Sequence, residues 1–516
     1  MPSTIELVDR RPITYESAIN KDENFINQAA YVAAMEAFYV QLRKERDAII
    51  SVIRHHLNLG PPHTHIVTIA PEKQWIRGSF NICIPVEVRG GAPTPQKLLL
   101  RCPFPFKLAE ARYPGTVDEK MGCEVGVYAW MQHQCPDIRI PHLYGFGFSE
   151  QRQGAQFTHE SHRPLYVRAI QILRRLTYRL LRYPTLSYYT RHPASPDGRL
   201  STAYILLEHI GLETGQMLSN TWSRQRQETE RRQRLFRGLA RIMLSLARVP
   251  QPHIGSFQFH NNGVVTLTNR PLTCAIMMLE NDGTPRTIGQ HKTFTSVHAF
   301  ASDMLSFHDN RFLSHPNAAF DVEDCRGHMA ARVVLRALLH RYTDPLQAGP
   351  LLLQLTDLHP SNILVDDDWN VVCLIDLEWV CALPAAMLSA PYWLTGRGID
   401  QITDEHLIEF DKVRREFIDI FEQEEHEASG GGGHSISQVM HSSWDSGGVW
   451  FWHSITSVNA MFGLVNKHLC PSTELYLPQV TAALSKFWCD DAEAVVEKKL
   501  AEFHEYDTKL KRLFAE

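Results

Sequence analysis

The chain has 516 residues, 44% of them hydrophobic and 21% charged, with a formal net charge of −5. That length suits two or three domains of roughly 100–200 residues each, and the composition can fill a sizeable core. The acidic balance argues against a general nucleic-acid binder, which is normally basic.

The N-terminus, MPSTIELVDRRPITYESAINKDENF, has no apolar core and several acids, so it reads as neither a secretory signal nor a transit peptide. No run of about 18 or more apolar residues occurs, so no transmembrane helix is expected and the cytoplasm is the default location. Residues 24–57 repeat apolar positions at three and four (Phe25, Ala29, Val32, Met35, Phe38, Leu42, Ile49, Val52), which predicts one helix packed on the next segment of the chain.

Residues 66–102 alternate as strands. Trp75-Ile76-Arg77-Gly78-Ser79-Phe80-Asn81 predicts a turn before the strand Ile82–Val88, and glycine there would let the backbone come close to a phosphate because it lacks a Cβ. After a loop at 89–95, Lys97–Arg101 is the next strand. Residues 117–133 predict a helix with Met121, Val125, Tyr128 and Met131 on its apolar face and Glu124 beside them. A carboxylate turned inward needs a cation, and Arg101 is the natural partner.

Residues 151–200 form a basic insertion. Arg152, Arg163, Arg168, Arg174, Arg175, Arg179, Arg182, Arg191 and Arg199 face only Glu160 and Asp197. Leu165, Ala169, Leu173, Leu176 and Leu180 share one helical face and most of the arginines another. The apolar face is expected to pack on the domain, with peripheral membrane contact through 165–182 the alternative. Ala203–Gly211 reads as a strand leading to a break.

Beyond it the chain is mainly helical. Helices are expected at 228–247, 294–307, 323–342, 406–427, 444–469 and 477–513, and a hairpin over 253–268 turns at Asn261-Asn262-Gly263. A loop is expected at 391–396 and a flexible glycine connector at 429–433. The ten cysteines contain no C-x-x-C pair and the 26 histidines no H-E-x-x-H spacing, so the cysteines read as free thiols rather than as disulfides or a zinc site.

The most informative stretch is Gln354–Trp379. Leu351-Leu352-Leu353 leads into the loop Thr356-Asp357-Leu358-His359-Pro360-Ser361-Asn362. The apolar runs Ile363–Val365 and Val371–Ile375 then form a hairpin across a polar turn at 366–370. This gathers Asp357, Asn362 and Asp376. A carboxylate and an amide oxygen suit Mg²⁺ on a triphosphate, and a second carboxylate can accept the proton of an attacking hydroxyl. Asp366, Asp367 and Asp368 read as a solvated turn. His359 suits either loop packing or a substrate contact, and Glu378 reads as the end of the strand, with metal support the alternative.

The string D-L-H-P-S-N-I-L-V-D followed by I-D resembles the aminoglycoside phosphotransferase/choline kinase-like family, in its fungal branch. The resemblance implies an α+β, two-lobed protein-kinase-like fold with a small antiparallel-sheet N-lobe and a mostly helical C-lobe. The expected divisions are an N-terminal helical extension (1–65), an N-lobe (66–208) carrying the insertion at 151–200, and a C-lobe (209–516) with the catalytic hairpin at 354–379. It implies Asp357 as catalytic base and Asn362 and Asp376 as Mg²⁺ ligands. ATP would lie beneath Gly78, Ser79 and Asn81, with Arg101 on its phosphates, Glu124 orienting Arg101, and Glu208, His209 and Ile210 as the hinge beside the adenine. Two positions depart from the kinase pattern: Leu355 stands where His is usual, and Arg101 where Lys is usual. The expected activity is transfer of the γ-phosphate of ATP to a hydroxyl of a small molecule. The alternative is a pseudokinase kept as a nucleotide- or partner-binding scaffold.

Overall fold

The computed structural model describes the chain apart from residues 1–2, 9, 61–63, 91–93, 150–151, 153, 193–197, 345–347, 430–434, 472–476 and 516. Asp197 and the glycine connector beyond Ser429 lie outside the described residues.

The N-terminal segment opens with a short hairpin, β1 (Thr4–Ile5) and β2 (Ile13–Thr14), and helix α1 (Tyr15–Ile19). The single helix expected over 24–57 is two: α2 (Phe25–Lys44), capped by the Asn24 side chain, and α3 (Arg46–Leu57). The break at Glu45 lets both lie on one face of the next sheet. There Phe38, Leu42, Ile49, Val52 and Ile53 meet Ile82, Ile84, Leu98 and Leu100 in a buried cluster.

That sheet comprises β3 (Ile66–Ile69), β4 (Ile76–Arg77), β5 (Asn81–Arg89), β6 (Gln96–Pro103), β7 (Leu143–Gly147), β8 (Gln156–His159), β9 (Tyr189–His192) and β10 (Tyr204–Glu208). Its order is β3-β5-β6-β10-β7-β8-β9, with β4 paired to β5, and every pairing is antiparallel. Helix α4 (Thr116–Gln134) joins β6 to β7 and covers the second face. A Cβ at Gly126 would come within 2.9 Å of Phe257, so glycine permits α4 to approach the C-lobe this closely. Buried Arg270 pins the same helix, its Nε 2.8 Å from Glu119 Oε1, while its Nη2 lies 3.0 Å from Glu280 Oε2.

The insertion carries helix α5 (Leu165–Leu180), but its orientation is the reverse of the expected one. Gln171 is buried and Arg175 is turned inward, held by two bonds to Glu160 at 2.5 and 2.7 Å and lying 4.6 Å over the Tyr188 ring. Capturing that guanidinium rotates the leucine face to solvent.

The C-lobe begins with β11 (Gln216–Met217), α6 (Ser219–Gln225) and α7 (Thr229–Ala247), followed by the hairpin β12 (Ser256–Phe259) and β13 (Val265–Asn269). Gly263 turns that hairpin at φ +84°. Helices α8 (Cys274–Asn281), α9 (Val297–Ser314) and α10 (Val322–Tyr342) lead to β14 (Leu351–Leu355), β15 (Ile363–Val365), β16 (Val371–Leu374) and β17 (Val380–Pro384). Neither α8 nor β17 was expected. Strand β15 pairs with both β11 and β16, and β14 pairs with β17. Helix α11 (Asp404–Ser429) packs along α7 through Phe236–Phe417 and an Arg232–Glu416 pair at 2.8 Å. The long helix expected over 444–469 breaks into Ile436–Asp445, Gly448–Thr456 and Met461–Leu464. The last helix, Ala492–Ala515, crosses back to the start of the chain, where Tyr506, Leu510 and Phe514 bury Leu7, Ile13, Ala18 and Phe25.

The result is the expected two-lobed α+β architecture: an antiparallel sheet lobe, a helical lobe and a cleft between them. No helix among the described residues is long and apolar enough to cross a membrane. All ten cysteines are free thiols, six of them buried.

Candidate active site

The hairpin expected after Gln354 forms with Ile363 opposite Leu374, Leu364 opposite Cys373 and Val365 opposite Val371. Its turn is not merely solvated. Asp366 Oδ1 accepts from the Asp368 and Asn370 amides at 3.0 and 2.9 Å, and Asp368 pairs with Arg234 at 2.7 Å. Trp369, in the left-handed region at φ +66°, is fully buried against Trp222 and donates its indole N–H to Thr221. An aromatic anchor therefore fixes the hairpin tip to α6.

The loop before it is equally constrained. Asn362 Nδ2 donates to the Asp357 carbonyl at 3.0 Å, and the Ile375 amide donates to the Asn362 carbonyl at 3.0 Å. The amide nitrogen of Asn362 is thus committed to the loop, which leaves Oδ1 as its donor atom toward a cation. His359 accepts from the Ser361 amide through Nδ1 and also lines the cleft, so it serves the loop while facing ligand space. Leu355, at the position of the usual His, ends β14 opposite Val380 and packs on the core. At the other end of the hairpin Asp376 takes φ +62°, a conformation Asp adopts more readily than most residues, and this bend turns its carboxylate toward the lobe interface.

Asp376 meets Arg101 there. Arg101 Nη2 lies 2.5 Å from Asp376 Oδ1 and 2.9 Å from Glu378 Oε2, and Nη1 lies 2.9 Å from Glu124 Oε1. The expected Arg101–Glu124 pair is present, but it belongs to a larger set. Lys120, one helical turn before Glu124, is fully buried and bonds Glu124 Oε2 at 2.8 Å, Glu378, and Asn81 Oδ1 at 3.0 Å. Asn81 Nδ2 donates to Glu378 Oε2 at 2.9 Å, so both ends of this amide are taken within the protein. Glu378 is therefore not a simple strand end: it is 3% exposed and ties the C-lobe hairpin to two N-lobe cations.

Lys120 escaped sequence reading. The K-x-x-x-E spacing on a predicted helix was the available signal, but it ordinarily marks an exposed ion pair.

The electrostatics follow from this packing. Two cations face three carboxylates, leaving one negative charge in surplus. Burial pushes the Asp357 carboxyl up to about 7, helped by repulsion from Asp376 and Glu378. Burial also raises Asp376, against the pull of Arg101. Burial would raise Glu378 too, but Lys120 and Arg101 together hold it below its ordinary value. An amide oxygen and carboxyls that burial raises are hard oxygen donors beside surplus negative charge, a set that suits a divalent cation at Asn362 and Asp376.

Gly78 and Ser79 form the turn between β4 and β5, closed by the Gly78 amide on the Asn81 carbonyl at 2.9 Å. A Cβ at Gly78 would meet that carbonyl at an ordinary 3.6 Å, so the fold itself does not demand glycine. In the expected hinge, the Glu208 and His209 amides donate to the His142 and Lys97 carbonyls, and the Glu208 carboxylate is held by the His142 amide and Arg139.

Gly78, Ser79, Asn81, Arg101, Glu208, His209, Ile210, Asp357, Asn362 and Asp376 line one cleft of about 970 Å³ between the lobes. Glu124 lies behind it. The lining also includes residues not expected to take part: Asp22 and Glu23 from the N-terminal segment, and Asp282 and Arg311 from the C-lobe. Burial lifts Asp282 to about 7, although Asn27 Nδ2 bonds its carboxylate at 3.2 Å.

Residues 168–387 match the model described as the phosphotransferase enzyme family. The family resemblance holds over that span. The match takes in Asp357, Asn362 and Asp376 and leaves Gly78, Arg101, Lys120 and Glu124 outside it. No curated protein matches the chain. Among solved structures, a macrolide 2'-phosphotransferase type I aligns at TM-score 0.34 and 14% identity, covering 84% of this chain and 95% of its own. A Plasmodium vivax ethanolamine kinase aligns at TM-score 0.35 and 11% identity, covering 84% and 86%.

Proposed function

We propose that this protein is an ATP-dependent phosphotransferase that moves the γ-phosphate to a hydroxyl of a small molecule. The reading rests on one observation: Asp357, Asn362 and Asp376 reach the same interlobe cleft as Gly78, Ser79 and the hinge. The nucleotide would lie under the Gly78-Ser79 turn, and Leu99, Leu207 and Leu364, which line the same cleft, would take its base. Because the Glu208 and His209 amides are engaged elsewhere, base contacts fall to Ile210 and the hinge carbonyls. Asn362 Oδ1 and Asp376 would hold Mg²⁺, which when bound would supply positive charge to the phosphate oxygens. Asp357, ionised, accepts the proton of the acceptor hydroxyl, which enters by the part of the cleft lined by Asp22 and Asp282.

A second reading, a nucleotide- or partner-binding scaffold, draws on one specific observation. Both arms of Arg101 are held by carboxylates, leaving neither facing a phosphate. Thermal melting with ATP, with and without Mg²⁺, separates the two. A stabilisation that requires Mg²⁺ and disappears in Asp376→Ala supports the enzyme, as does phosphate transfer to hydroxyl compounds lost in Asp357→Ala. Turnover unchanged in both variants contradicts it.

A further inference from the structure

Helix α5 is built inside-out. Its polar side, with Gln171 and Arg175, is turned to the domain. Its apolar side faces solvent along the whole helix: Leu165 and Leu180 are 78% and 82% exposed, and Tyr166, Ile170, Ile172, Leu173 and Leu176 are exposed between them. Leu181 and Tyr183 extend the patch past the helix end. Isolated exposed leucines need no explanation. Here nine of the twenty large hydrophobic residues exposed among the described residues fall within residues 165–183.

The charge around this stripe is one-sided. From Ser161 to Pro196 the sequence has no Asp or Glu, yet it carries Arg163, Arg168, Arg174, Arg175, Arg179, Arg182 and Arg191, in a chain whose net charge is −5. Arg168 and Arg179 are exposed and border the stripe on the Ile172 side, and Arg174 borders it on the Ile170 side. A flat apolar band about 24 Å long, flanked by guanidiniums that can remain in a headgroup layer, matches a helix lying in a membrane surface. Sixteen residues are too few to span a bilayer. None of these residues lines the interlobe cleft, so the surface is separate from the active site.

We propose that α5 docks this protein on an anionic phospholipid bilayer: the Leu165–Leu180 stripe enters the acyl boundary while Arg168, Arg174 and Arg179 meet lipid phosphates and carboxylates. The test is flotation of the full chain with vesicles of phosphatidylcholine alone or mixed with phosphatidylserine. The expected result is binding to the mixed vesicles, about tenfold weaker binding to the neutral ones, and weakening by salt. Leu173→Glu/Leu176→Glu and Arg168→Glu/Arg179→Glu should each abolish flotation, while retaining the melting temperature and nucleotide response that show them folded. Equal flotation on neutral vesicles, or flotation untouched by either double variant, overturns the proposal. So does the absence of vesicle binding together with self-association that Leu173→Glu/Leu176→Glu disrupts, because the stripe would then be covered by a second copy of the chain.

Discussion

Arg101 Nη2 lies 2.5 Å from Asp376 Oδ1 while Nη1 of the same guanidinium lies 2.9 Å from Glu124 Oε1. One side chain on β6 thus joins the N-lobe helix to the end of the C-lobe hairpin. Its planar fork can serve two acceptors on opposite sides, which a lysine ammonium on the same strand does less rigidly.

Removing one partner from a buried charge set leaves the others uncompensated, typically at a cost of about 3–5 kcal/mol. Arg101→Met should therefore lower stability by about that amount, since Glu124, Glu378 and Asp376 would share Lys120 alone. Arg101→Lys should recover part of it. Chemical denaturation midpoints measure both, and a midpoint for Arg101→Met equal to that of the parent chain contradicts the account.

Asp357 gives a pH prediction with a definite sign. Its folded pKa is raised from 3.8 to about 7, so its neutral form is favoured by folding. The contribution is fully present below pH 4 and is lost as pH rises through 7. Asp357→Asn should match the parent chain near pH 4 and exceed it by about 2 kcal/mol at pH 8, since a tenfold change in proton affinity is worth about 1.4 kcal/mol before partial exposure is allowed for. In the phosphate-transfer assay, kcat/KM should rise with pH along a single-proton limb near 7, because only the ionised carboxylate accepts a proton. Stability curves and pH–rate profiles check the two halves separately.

Lys120 and Glu378 are predicted to be energetically coupled. Lys120→Met should destabilise strongly, because it leaves Glu124 and Glu378 buried beside a single cation. Adding Glu378→Gln should cost less than its effect alone, because one stranded charge has gone with its partner. Contacting residues commonly show coupling of about 0.5–3 kcal/mol in such a cycle. Additive effects in the double variant would mean the pair acts independently.

The hairpin at 354–379 was legible because local rules suffice there. A Pro-Ser loop, two short apolar runs and a polar turn fix the spacing of Asp357, Asn362 and Asp376 whatever the rest of the chain does. The Lys120–Asn81–Glu378 network was not, because three segments distant in sequence supply it and no local pattern distinguishes a fully buried lysine from a solvated one. Helix α5 shows the same limit in reverse. Periodicity located the helix and its two faces, but the inward face was decided by Glu160 and Tyr188, which lie outside the periodic segment. The part of the cleft lined by Asp22 and Glu23 escaped for a similar reason, because the N-terminal segment is held there by the last helix of the chain.

That last contact yields a further prediction. Tyr506 Oη accepts from the Phe25 amide at 3.2 Å and lies 3.3 Å from the Glu23 carbonyl, to which it donates. Burial pushes the phenol up to about 12, so it stays protonated and able to donate through the neutral range. Tyr506→Phe keeps the ring and leaves the Phe25 amide without its acceptor, which should cost about 1–3 kcal/mol. Asp22 and Glu23 line the cleft but belong to the segment that Tyr506 holds, so the Mg²⁺–nucleotide thermal shift should be preserved while residues 1–24 become more susceptible to proteolysis. Loss of the nucleotide shift instead would mean that the N-terminal segment supports the whole cleft rather than its own part of the lining alone.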